Sequence, residues 1–172
     1  MSAASEYGLI GLAIDYSLQH AEETEARVIE ALQFGAATSS VNALRMLTMH
    51  STIIAIGAIQ AFESLIQQKK GWKNTFKELD LELRTKGHTD LADRFLDYRD
   101  AINVLKHGEG SSYDKLVARK EKLPFTIKEK GRRYFDEGDV SENIRLVDAD
   151  HAFVRQCSEI IEEIISALRS TT

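Results

Sequence analysis

Arg99, Asp100, Asn103, Lys106 and His107 fall within nine consecutive residues, directly before Gly108-Glu109-Gly110. Such a set can handle a phosphate. A histidine exchanges protons near neutral pH, an arginine grips phosphate oxygens two at a time, and asparagine and lysine add donors. At about 100° per residue, Arg99, Asn103 and His107 follow one another along one polar face of a helix. The same residues also suit a plainer task. Lys106 and His107 in a last turn interact favourably with the helix dipole, roughly 0.3–1 kcal/mol each, and Gly108 supplies the left-handed residue that follows a helix stop. The two readings differ in whether that helix end does chemistry.

The helix that carries these residues is drawn by Leu91, Phe95, Tyr98, Ile102 and Leu105, spaced by three or four into one buried stripe. Thr89 is a good residue to cap its start. Ile102 lies in the middle of the stripe and is expected in the core. Before it, three more helices are expected, over residues 5–34, 40–69 and 72–86. The first has Leu9, Ala13, Tyr16, Ala21, Val28 and Leu32 at helical spacing, with Glu22, Glu23, Glu25 and Glu30 on a wet face. The second is apolar almost all round in its middle, where Ile53, Ile56 and Ile59 lie off the main stripe. That pattern means burial on several sides, at a bundle centre or in a subunit interface. The third turns Phe76, Leu79 and Leu83 inward. Residues 108–112 read as a flexible loop, and residues 123–127 and 143–147 can pair as a short β-hairpin. The last helix starts after Asp148, capped by Asp148 or Asp150, and lines up Phe153, Cys157, Ile160, Ile161, Ile164 and Leu168. The expected fold is therefore all-α: a single domain over residues 1–172, an antiparallel bundle of about five helices, with a short β-hairpin before the last.

Composition narrows the function classes. Apolar residues make up 43% and charged residues 28% of the 172 positions, ordinary for a folded globular chain rather than a disordered one. The net charge is −5, so any RNA contact needs a local basic patch rather than an overall polycation. Arg119, Lys120, Lys122, Lys128, Lys130, Arg132 and Arg133 form one basic run, but Asp136, Glu137, Asp139 and Glu142 follow. Its two halves read first as a solvated excursion that neutralises itself, and otherwise as a phosphate-contacting patch. Cys157 is the one cysteine, which excludes an internal disulfide and fits a reducing, cytoplasmic setting. Cys157 itself reads as core rather than nucleophile. The N-terminus lacks a signal-peptide pattern, and no uninterrupted apolar run is expected to span a bilayer. No glycine-rich phosphate loop, dinucleotide fingerprint or His-Glu-x-x-His motif is present, and the five histidines are scattered, so neither metal nor cofactor is expected.

The order of helices, Ala61-Phe62-Glu63-Ser64-Leu65 in the second, and above all Asn103-Val104-Leu105-Lys106-His107-Gly108-Glu109-Gly110 resemble the HEPN superfamily. The resemblance implies an up-down helical bundle that dimerises and, in active members, a metal-independent endoribonuclease of the kind found in toxin–antitoxin and phage-defence systems. Its signature is an Arg, often followed by a polar residue, with four to six residues between the Arg and a His. His107 matches the histidine and Asn103 the polar residue. Ile102 stands where the shortest spacing puts the arginine, and Arg99, followed by Asp100, lies eight residues before His107. Metal-free RNA cleavage needs a base for the 2′-hydroxyl, an acid for the leaving oxygen and a cation for the phosphorane charge. Eight residues span roughly 12 Å of helix, so Arg99 of one subunit would meet His107 of the other across a two-fold axis. The resemblance thus makes His107 and Arg99 the candidate catalytic residues and Asn103, Lys106 and Asp100 the substrate-binding ones, in a homodimer with RNA and an antitoxin-like protein as candidate partners. The competing function is a non-catalytic bundle that serves as a protein-interaction or scaffold module.

Overall fold

The computed structural model describes residues 6–35, 38–129 and 146–169. Among them the chain is all-α: α1 (Glu6–Gln33), α2 (Thr38–Lys70), α3 (Thr75–Thr85), α4 (Thr89–His107), α5 (Ser111–Ala118) and α6 (His151–Arg169), with a 3-10 turn at Lys120–Lys122. It divides into two compact units, Met1–Ala92 with Ala149–Thr172, and Asp93–Asp148.

The first unit is a helical bundle in which α1, α2 and α6 pack on one another and α3 packs on α2 and α6. The connector after α1 is short, which makes α1 and α2 antiparallel neighbours. Ile14, Leu18, Ile59, Phe62, Ile66, Leu79, Leu83, Phe153, Cys157 and Ile161 fill the centre, each 3% exposed or less. Helix α1 approaches α6 closely at Gly11, where a Cβ would stand 3.0 Å from Glu162 Oε1. The ends of α6 are both satisfied. Asp150 Oδ1 accepts from the Phe153 N–H at 2.8 Å, which makes Asp150 the cap of the two candidates. At the other end the Lys86 ammonium donates to the Ala167 and Leu168 carbonyls at 3.3 and 3.0 Å, where a cation complements the dipole. Arg155 pairs with Glu22, and His151 Nδ1 lies 3.5 Å from Glu25, both between α6 and α1.

The all-round apolar middle of α2 leaves a face uncovered. Leu9, Leu12 and Tyr16 of α1 and Met46, Met49 and Ile53 of α2 are each more than half exposed. A groove of about 410 Å³ runs between the two helices beside these residues. By length and composition α2 is long and apolar enough to cross a membrane, with a mean hydropathy of 1.3 over its most apolar window. A bundle's central helix has the same composition, and here 39% of that window is buried within the chain.

The second unit contains the rest of α4, α5, the 3-10 turn and an antiparallel bridge between Ile127 and Val147. Phe95, Tyr98, Ala101, Ile102, Val104, Leu116 and Val147 form its interior, each 3% exposed or less. Ile102 is core, as its place in the stripe requires. Tyr98 meets Phe125 edge to face at 5.3 Å, and the Tyr113 hydroxyl donates to the Lys128 carbonyl at 3.2 Å.

Two sequence expectations change here. Residues 111 and 112, read as loop, open α5, so the described residues hold six α-helices rather than about five. A helix of eight residues carries too little periodicity to stand out in a sequence. Of the expected hairpin, the bridge with its hydrogen bonds, Lys128 N to Leu146 O at 2.7 Å and Asp148 N to Thr126 O at 3.1 Å, is what the described residues contain. The rest of that pairing, from Asn143 to Arg145, lies outside them, as do Lys130, Arg132, Arg133, Asp136, Glu137, Asp139 and Glu142 of the basic and acidic runs.

Candidate functional site

The site is built at the end of α4 and the start of α5. Gly108 takes φ +76, a left-handed conformation costly for a residue with a Cβ. Its N–H closes the helix on the Val104 carbonyl at 2.8 Å. The chain then turns through Glu109 and Gly110 and enters α5 at Ser111. That tight return brings Ser112 and Arg119 back against the polar face of α4.

Asp100 is the centre of what results. Its carboxylate, 4% exposed, accepts from the Ser112 hydroxyl at 3.1 Å and from an Arg119 guanidinium nitrogen at 3.0 Å. Asn103, one turn along α4, donates its amide to Ser112 Oγ at 3.4 Å. Arg99 lies 3.6 Å from Asp100 Oδ1, the oxygen that Ser112 also reaches. Arg119 also reaches Asp97, with Nε 2.8 Å from Oδ1. That contact is an ion pair rather than a directed hydrogen bond, because the Nε–H does not point at the oxygen; the buried Nε atoms of Arg99 and Arg119 both lack a hydrogen-bond partner. Burial pushes the Asp97 carboxyl above the ordinary carboxylate value, Arg119 pulls it back, and Asp100 and Asp93 push it up further.

The sequence-derived candidates therefore separate. Arg99, Asp100 and Asn103 join one network, with Asp100 buried and the other two half-buried. Lys106 and His107 are exposed at the helix end, outside that network. Asp97, Ser112 and Arg119 belong to the site and were not singled out for it by spacing. Arg119 stands 19 positions beyond Asp100, in a run that reads as solvated; only the turn at residues 108–110 brings it back. Further along that run Lys120 pairs with Glu129, so its described part is partly neutralised within the chain.

Chemically, the network holds two guanidinium groups on two carboxylates and leaves one imidazole and one ammonium facing solvent. Among the described residues no group of three or more His, Cys, Asp and Glu side chains gathers to hold a metal ion. Cys157 lies fully buried in α6, where burial pushes its thiol up and away from reactivity. No family model, no curated protein and no solved structure matches this chain.

Proposed function

We propose that this chain is a HEPN-like, RNA-associated homodimer, a degenerate relative of the metal-independent endoribonucleases of toxin–antitoxin and phage-defence systems that binds RNA rather than cleaving it, in the cytoplasm. The observation that carries the reading is the exposed Lys106–His107 pair at the glycine-terminated end of α4, one turn beyond Asn103. Two features argue against cleavage. Ile102, where the superfamily's arginine belongs at the shortest spacing, is 3% exposed. Arg99, the nearest substitute, is drawn onto Asp100, which spends part of its charge before any phosphate arrives. Lys106 and His107 would meet the phosphate from the helix end, with Asn103 one turn behind them, while Asp100 holds Arg99 and Arg119 back from it.

The experiment is RNA binding by fluorescence anisotropy, with and without chelator, for the wild type and His107→Ala. The expected result is salt-sensitive binding without cleavage, weakened in the variant while the melting temperature stays nearly unchanged. Chelator-resistant cleavage lost in the variant would make the protein an active ribonuclease. Absence of any RNA binding would remove the RNA reading and leave the second one, a protein-interaction module, which the uncovered apolar face of α1 and α2 favours.

A further inference from the structure

We infer that the outer face of the α1–α2 pair is the surface on which two copies of this chain associate, packed symmetrically about a two-fold axis near Gly57. The inference deepens the dimeric reading above and rests on it for the existence of a dimer, but it is carried by different residues.

Three observations converge. The first is Gly57 itself. A glycine in the interior of a helix weakens that helix relative to alanine, so it calls for a packing reason. Among the described residues there is none, since a Cβ on Gly57 would meet nothing within 4 Å. With Ala13 and Ala61 it floors the groove between the helices, where another backbone or a large side chain can come close.

The second is self-complementarity. A two-fold contact requires one patch to fit itself. This face carries both parts: a hollow floored by small residues, and projecting side chains beside it, Ile53 at 60% and Tyr16 at 66% exposure. It also avoids the usual penalty of such symmetry, which sets like charges against each other near the axis. From Met46 to Phe62 of α2 there is no Asp, Glu, Lys or Arg, nor is there one from Tyr7 to Ile14 of α1.

The third is area. The six large apolar side chains of the face, each more than half exposed, leave on the order of 100 Å² apiece. A symmetric pair then removes about 1,200 Å² from water, the lower edge of what stable, specific interfaces bury. An uncovered patch of this size is at the upper end of what monomers tolerate.

The test is the solution mass of the whole 172-residue chain by light scattering and sedimentation, for the wild type, Ile53→Glu, Gly57→Leu and Leu81→Glu. Ile53 is exposed and Gly57 faces open space, so both variants are expected to keep wild-type helicity by circular dichroism. The wild type is expected at twice the 19.3 kDa chain mass. Ile53→Glu and Gly57→Leu are expected to weaken association at least tenfold. Leu81→Glu, at a 66% exposed apolar residue on α3, is expected to leave the mass unchanged. A wild type that stays at 19.3 kDa at high concentration overturns both this inference and the dimeric reading, even if the groove takes up an apolar dye. A dimer that survives both face variants overturns this inference alone, and places the dimer on another surface.

Discussion

Asp100 decides what the candidate site can do. It is the best-buried charged group described in its unit, and it accepts from Ser112 and Arg119 while holding Arg99 nearby. Removing it strands a half-buried arginine and a hydroxyl, so Asp100→Ala is expected to cost about 2–3 kcal/mol in urea unfolding, the scale of hydrogen bonds to a charged group. The same change releases Arg99 and leaves Arg119 on Asp97 alone, so RNA binding per folded molecule is expected to strengthen, read by anisotropy at a temperature where the variant is folded. Asp97 makes a pH-dependent contribution of opposite sign to the usual carboxylate. Its folded pKa lies above the ordinary 3.8 because burial disfavours the charge, so between the unfolded and folded values the native state binds more protons than the unfolded one. The stability attributable to Asp97 therefore falls as pH rises through the window starting near 3.8, and is lower at neutrality than in acid. Asp97→Asn is expected to remove that slope, measured as unfolding free energy against pH; an unchanged slope would show that Asp97 is not its source.

At the scale of the element, α4 is amphipathic in two senses, an apolar stripe inward and a polar row that α5 partly covers. Ile102 belongs to the first. Ile102→Arg restores the residue type of the superfamily's motif but buries an unpaired charge, and is expected to destabilise by a few kcal/mol without creating a nuclease. A stable variant that cleaves RNA would reverse this. Gly108 sets the geometry of the return. Gly108→Ala places a Cβ in a left-handed position and is expected to cost about 1–2 kcal/mol, with loss of the Ser112–Asp100 contact visible as reduced amide protection at the start of α5.

For the whole molecule, the first unit gathers its core from distant stretches, residues 6–92 and 149–169, around α2. Phe62, fully buried and 6.4 Å from the Tyr7 ring, ties α2 to α1. Phe62→Ala is expected to cost about 3–5 kcal/mol and to lower the melting temperature without changing the helical form of the circular dichroism spectrum.

The all-α class, the extents of α1 to α4 and α6 to within a few residues, a cap at Asp148 or Asp150, and the core roles of Ile102 and Cys157 were legible in the sequence, because each rests on local periodicity or a local terminal signal. The site was legible only as a list. Arg99, Asn103 and His107 share a helix face by spacing alone, but nothing local tells that Ser112 and Arg119 return to that face. That depends on a three-residue turn and an eight-residue helix too short to announce itself. The same holds for charge and exposure: a sequence shows that Arg99 precedes Asp100 and that residues 53–59 are apolar. Only the packing decides that Asp100 draws both Arg99 and Arg119, and that Ile59 is buried while Ile53 stands in solvent, because ion pairing and burial are properties of neighbours brought together by the fold rather than of position along the chain.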